Sequence, residues 1–234
     1  MSNLYDYKRR PIVELLFSII IPTIILMKFS GDDDLGATKA LIFALYFPLS
    51  WGLYEFTKYR KFNFIALLGL VSVLLTGGIG LLQLDNQWLA IKEASIPAII
   101  GLAVLISTRT RYPLIKTLIY NRKIMNTDKI KSRLDELNTT DIFENRLLIA
   151  TYLLSSTFFF SAVMNYILAK WIVTSPAGSS AFNEELGQMT LLSYPVIAIP
   201  SMLMMLAIIY YLWRTIQGLT MLRLEEVFIH KETQ

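Results

Sequence analysis

The sequence predicts an all-α protein, a polytopic transmembrane bundle of six helices with both termini cytoplasmic. Three observations predict it. Of 234 residues, 54% are hydrophobic and only 17% charged, with a mean hydropathy of +0.50, whereas soluble domains carry roughly a quarter charged residues. Apolar stretches near the roughly 20 residues that cross a bilayer recur six times, at 11–29, 36–57, 63–84, 88–108, 146–173 and 184–214. Lys and Arg gather on one side of these stretches, eighteen against the four at Lys28, Lys39, Lys92 and Lys170. Basic residues are retained on the cytoplasmic side of short loops, which gives an N-in, C-in topology for one transmembrane domain over residues 1–234.

Taken in order, the first span follows Lys8, Arg9 and Arg10 and runs to Met27 without an A-x-A-like cleavage site, so it is expected to be retained. Glu14 lies one helical turn past Arg10 and is read as its interfacial ion-pair partner. The connection Ser30–Gly36 is short and acidic, and Leu84–Gln87 is a tight turn, so spans one and two, and three and four, form hairpins. Between spans four and five lies a basic cytoplasmic loop, 109–145. Leu114, Ile115, Leu118 and Ile119, flanked by basic residues, suit either a surface-lying amphipathic helix or a plain solvated linker. Lys129–Glu144 reads as a solvent-exposed helix with Thr127 or Asp128 as N-cap. The sequon-like Asn138-Thr-Thr is discarded because it falls on the cytoplasmic side.

Composition also excludes function classes. The chain has no cysteine and one histidine, His230 near the C-terminus, so a His/Cys metal site, a Ser-His-Asp triad and a cysteine nucleophile all lack their parts. No catalytic residue, metal or cofactor is assigned. The net charge of +4 follows from basic loops facing an anionic leaflet and calls for no nucleic acid. The bilayer is the expected partner.

Charged groups inside a membrane cost roughly 2.5–3.5 kcal/mol each on insertion scales, so they call for a partner or a wet cavity. Lys92 and Glu93 fall in the first turns of span four, and Glu184 and Glu185 at the start of span six. Both spans begin on the external side, so these charges share a shallow depth, and Lys92 is within reach of Glu184 or Glu185 across the bundle. Asn165 and Lys170 of span five, and Gln83 of span three, line the same level. The competing reading is snorkelling to the external interface, with carboxylates favoured at helix N-termini.

Prolines interrupt the spans at Pro22, Pro48, Pro97, Pro195 and Pro200. Each removes a backbone hydrogen bond and bends or loosens its helix, although proline is also common in membrane helices. Gly77, Gly78 and Gly80 give span three a smooth face for close helix packing, which Gly69 extends. Met202, Met204 and Met205 are read as soft packing and not as a metal relay. Spans three–four and five–six share a loose grammar of small-residue helix, external turn, aromatic, charge and proline, which suggests an internal repeat.

The segments LLTGGIGLL (74–82), WLAIK (88–92), YPLI (112–115), MNY (164–166) and FNEELG (182–187) resemble the landmarks of the intracellular septation protein A family. More closely, the chain is similar to a related set of six-span inner-membrane proteins with an LTGGIGLL…QWLAIKEA and an FNEELG…LSYP stretch. The resemblance spans residues 11–215. It implies a bacterial inner-membrane protein, and for the septation proteins a part in cell division or envelope maintenance through contacts with envelope-synthesis machinery. The chain departs from that family by its longer 109–145 loop and by Glu184, where the septation proteins carry Lys.

Two readings of function stand. One is a non-enzymatic envelope factor that binds membrane proteins of the division or envelope machinery, or lipid. The other is a small transporter or channel, acting through Lys92, Glu93, Asn165, Glu184 and Glu185 with helices broken at Pro97, Pro195 and Pro200, and of a size that suits a homodimer. An integral-membrane lipid enzyme is a third, without a recognisable motif.

Overall fold

The structure, a computed structural model, describes residues 13, 15–59, 64–109 and 125–227. Among these residues every regular element is helical and there is no strand. The helices are α1 (Leu16–Lys28), α2 (Ala37–Tyr59), α3 (Phe64–Leu81), α4 (Asn86–Ser107), α5 (Thr127–Glu136), α6 (Thr140–Ile172), α7 (Ser180–Thr220) and α8 (Leu224–Val227). Within the described residues, a helix thus runs through each of the six apolar stretches. Three of them, α4, α6 and α7, are long and apolar enough to cross a membrane. Their most apolar windows are only 28%, 39% and 17% buried, so most of this hydrophobic surface faces outward, as lipid-facing helices require and water-soluble ones avoid. The basic termini, the stretch 114–119, the Arg10–Glu14 pair and His230 lie outside the described residues.

Local chemistry sets the helix ends. After α1, Gly36 takes a left-handed φ of +72°, and its N–H donates to the Gly31 carbonyl (2.9 Å) to close the acidic turn. The turn before α4 is tight, as the sequence suggests: Gln83 is left-handed at φ 53°, and Asp85 Oδ1 accepts from the Gln87 N–H at 2.7 Å. Ser179 caps α7 by accepting from Phe182 N–H at 3.1 Å, so that helix starts earlier than its apolar stretch does. The cap of α5 is neither Thr127 nor Asp128 but Asn126, whose side chain accepts from the Lys129 N–H. The exposed-helix reading of 129–144 also needs correction: α5 ends at Glu136, α6 begins at Thr140, and Ile130 and Leu134 are buried.

Two helices contain a π-helical turn, Leu16–Ile20 in α1 and Tyr194–Ala198 in α7. Each is followed two residues later by a proline, Pro22 and Pro200. A proline ring clashes with the carbonyl four residues back and donates nothing to it; widening the preceding turn relieves that clash without ending the helix. The expected break at Pro195 and Pro200 is therefore a π turn in a continuous 41-residue helix. Pro97, like Pro48, sits inside an α-helix that likewise continues through it.

The chain divides into two compact units. The first comprises residues through Ala94 together with Asn165–Pro195. In it α1 packs on α2 and on the beginning of α7, and α2 packs on α3. Its core holds Leu41, Leu89 and Phe182, all fully buried, with Ala40, Ala44, Ala90 and Leu186 around them. The second comprises Ser95–Met164 and Val196–Gln234. Its core is one cluster that includes Val104, Ile130, Leu134, Phe143, Leu147, Leu154, Ile208, Leu212, Ile216, Leu222 and Val227. Ile208, Leu212 and Ile216 recur every four residues, the buried stripe of an amphipathic helix.

Candidate functional site

Within the first unit, α1, α2, α3, α4 and the start of α7 enclose a cavity of about 190 Å³. Its apolar wall includes Leu41, Leu45 and Met189. Its polar wall carries hydroxyls of Ser18, Thr23, Ser72, Thr76 and Thr190, and the ionic pair Lys92 and Glu93. The π turn of α1 and the prolines Pro22 and Pro48 also line it.

Lys92 dominates the site, and its side chain is 7% exposed. Its ammonium lies 2.6 Å from Glu93 Oε1 and donates to Thr76 Oγ1 at 2.7 Å and Ser72 Oγ at 3.2 Å. An ammonium has three protons, and here each has an acceptor. That satisfaction is what lets a cation remain among apolar helices, because an unpaired buried charge is far costlier than a fully hydrogen-bonded pair. Adjacent residues on a helix point about 100° apart, so the long lysine stem must fold back toward α3 and its neighbour. Ser72 and Thr76 stand one turn apart on α3, and the Thr76 hydroxyl donates to the Ser72 carbonyl at 3.0 Å.

The other charges of the expected cluster are placed elsewhere. Glu185 does not pair with Lys92. Its carboxylate accepts from the N–H groups of Thr174 (2.9 Å) and Ser175 (2.8 Å) and from both of their hydroxyls. It clasps the chain leaving α6 to the second turn of α7. Asn86 grips the same stretch, donating to the carbonyls of Val173 and Ser175 at 3.2 and 2.7 Å. Glu184 is exposed and accepts only a long 3.3 Å bond from Gln188 on its own helix. Asn165 is half-buried in α6, and Lys170 and Gln83 are exposed. Of the four charged residues expected to act together, the structure joins Lys92 with Glu93 and places Glu184 and Glu185 on other contacts.

The glycine face divides too. A Cβ on Gly77 would stand 2.6 Å from Leu45 Cδ1, and one on Gly80 would stand 2.5 Å from Leu41 Cδ2 and 3.3 Å from the Phe182 ring. These two glycines allow close packing. Gly78 and Gly69 would meet open space: Gly78 points about 160° away from Gly80, while Gly69 shares the Gly80 face about three turns earlier, where a Cβ has no neighbour within 4 Å, so the packing role expected of them is corrected.

Four contributing residues escaped the sequence reading. Ser72 and Thr76 hold Lys92, and their i, i+4 spacing was the available signal. Asn183 is fully buried and donates to Ser30 Oγ (3.1 Å) and the Ala37 carbonyl (2.7 Å), tying α7 to the α1–α2 hairpin. Gly187 lets α7 approach α1, since a Cβ there would lie 2.5 Å from Met27 Cγ and 3.4 Å from the Thr23 carbonyl oxygen.

No protein-family model, curated protein or solved structure matches the chain. The residues that carry the septation-protein resemblance are, in unit one, largely packing residues: Gly77 and Gly80, Thr76, Lys92, Phe182 and Asn183 all face its interior.

Proposed function

We propose that this chain is a six-span protein of a bacterial inner membrane, N-in and C-in, that carries a small anion together with a proton through the cavity at Lys92. The supporting observation is the pairing of Lys92 with Glu93 and two hydroxyls on the wall of that cavity. The volume, about 190 Å³, is below the roughly 300–1,000 Å³ of drug-sized pockets, which restricts the solute to a few heavy atoms.

The pair defines an exchange. An entering anion takes the place of the Glu93 carboxylate at Lys92 Nζ, and the displaced carboxylate binds a proton. The site keeps the same net charge when occupied, so no uncompensated charge is left among the apolar helices. The hydroxyls of Ser72 and Thr76 stay on the ammonium and can donate to the solute after rotating. The π turn of α1, weaker than a regular helical turn and lining the same cavity, is the element suited to open a path.

The test is uptake of chloride, formate, acetate and phosphate into proteoliposomes under an imposed pH gradient. One of these anions should enter with a proton, Lys92→Met should lower its rate at least roughly tenfold, and Glu93→Gln should uncouple it from the proton. Background uptake of all four would remove the proposal. Topology is checked separately with single cysteines, which the cysteine-free chain makes clean. Positions 33, 85 and 178 should label from the outside, and positions 138 and 223 only after permeabilisation.

The resemblance to septation proteins supports a second reading, a non-enzymatic septation or envelope-maintenance factor that meets other envelope membrane proteins or lipid. Crosslinking followed by affinity purification should then recover a division or envelope-synthesis protein, and recovery of none above background would end this reading.

A further inference from the structure

The second unit has a cavity of its own, about 570 Å³, open to the surface along α6 and α7. Arg146 of α6 and Arg214 of α7 line it, with Tyr211, Thr215 and Gly218. Tyr211, Arg214 and Thr215 are spaced i, i+3 and i+4 and so share one helix face. Gly218 continues that face without a side chain, and a Cβ there would meet nothing within 4 Å. No carboxylate lines the cavity, and neither arginine makes an ion pair among the described residues.

A second, independent observation points to a ligand. The Tyr211 hydroxyl is buried and has no hydrogen-bond partner among the described residues. Buried hydroxyls are nearly always satisfied, and an orphan calls for a missing partner. Here Arg146, Arg214 and Thr215 line one space with Tyr211 beside them, residue types that supply donors for an anion with several acceptor oxygens.

We infer that this cavity binds the phosphate of an anionic phospholipid headgroup. Planar guanidinium forks match phosphate oxygens in pairs, and Tyr211 donates the third contact. The volume exceeds what a bare phosphate fills and leaves room for the glycerol portion. The apolar side chains beyond it supply a bed for acyl chains: Ile149, Leu206 and Tyr210 are 43%, 53% and 59% exposed. A phosphate from solution would use none of this apolar surface. The inference rests on the proposed membrane topology, which sets these arginines at the cytoplasmic leaflet where anionic lipid is read by basic pockets, and it is independent of transport.

The experiment is native mass spectrometry of the full chain released from nanodiscs containing phosphatidylcholine and phosphatidylglycerol in equal amounts. A chain that failed to enter nanodiscs would refute the membrane reading itself, a result distinct from loss of lipid preference. The wild-type chain should retain phosphatidylglycerol over phosphatidylcholine by roughly tenfold or more, and Arg146→Gln and Arg214→Gln should each abolish that preference. Tyr211→Phe, which removes one oxygen and keeps the packing, should lower retention several-fold with an unchanged helical spectrum. This variant keeps the inference testable if an arginine variant misfolds. Equal retention of the two lipids, or wild-type retention by Tyr211→Phe, would overturn it. So would thermal protection by millimolar inorganic phosphate without protection by phosphatidylglycerol, which would assign the site to a soluble anion.

Discussion

Replacing Glu185 by glutamine separates a structural clasp from a transport group. In the native chain one carboxylate oxygen accepts the N–H groups of Thr174 and Ser175, at 2.9 and 2.8 Å, and the other accepts their hydroxyls at 3.3 and 2.7 Å. Glutamine keeps a carbonyl oxygen for the two N–H groups, and its amide nitrogen donates to the hydroxyls, which rotate to accept. The geometry survives and the charge is lost. A hydrogen bond to a charged acceptor nets about 1.5–3 kcal/mol and a neutral one about 0.5–1.5, so two N–H bonds weakened by about 1 kcal/mol each give a loss near 2 kcal/mol. Alanine removes all four contacts; water replaces the partner of the exposed Thr174 but not fully that of half-buried Ser175, for a loss of about 3–4 kcal/mol. The assay is reversible unfolding in mixed micelles together with hydrogen exchange at the two amides, which should quicken more than roughly tenfold in the alanine variant. Uptake by folded Glu185→Gln protein should match the wild type. Wild-type stability and exchange in the alanine variant would refute the clasp, and loss of uptake at wild-type stability would return Glu185 to the transport path.

Three further outcomes are expected. Lys92→Met should destabilise the chain by about 3–5 kcal/mol by leaving Glu93 unpaired, and adding Glu93→Gln should restore most of that loss, as read by chemical unfolding of the single and double variants. Gly80→Ala, whose Cβ would meet Leu41 and Phe182, should cost about 1–3 kcal/mol, whereas Gly78→Ala, which meets nothing, should gain up to about 1 kcal/mol in helix propensity; thermal midpoints of the two variants decide. The hydrogen bond from Lys129 (2.8 Å), then that from the Arg223 N–H, holds the Glu226 carboxyl below the usual carboxylate range. A depressed folded value means that the contact of α8 with α5 is retained above that range and lost as pH falls through the folded value. The Glu226 carboxyl carbon followed by NMR should titrate higher in Lys129→Met.

Hydropathy alone located the three helices long and apolar enough to cross a membrane, α4, α6 and α7, because roughly 20-residue apolar runs leave the backbone little choice but to satisfy itself. The sequence singled out Lys92 by its place in the first turns of an apolar stretch but left burial and snorkelling equally open. Its partners were not legible. Pairing across a bundle depends on helix rotation, which composition does not carry, so Glu184 or Glu185 was expected where Glu93 is the partner. Ser72 and Thr76 were visible as hydroxyls one turn apart, but such residues in apolar helices commonly bond back to their own backbone, as Thr76 does while also accepting from Lys92. Gly77, Gly78 and Gly80 looked alike in sequence, and only the neighbouring helices distinguish them. The caps at Asn126 and Ser179 fell within a residue or a few of the expected boundaries, which is the scale on which helix ends depend on single side chains.

The π turn at Tyr194–Ala198 makes the length of α7 as informative as its composition. A turn wound with an extra residue resets the angular phase of everything that follows. Deleting one residue there would restore uniform winding and swing the downstream helix by about 100°. Asn183, Leu186 and Met189 before the turn and Ile208, Leu212 and Ile216 after it form two buried stripes of one helix, and the deletion would change the phase between them with every side chain still present. Deletion scanning should therefore find this turn far less forgiving than substitution scanning does. An alignment of distant relatives that closes a gap in this segment would assign the wrong residues to the buried face.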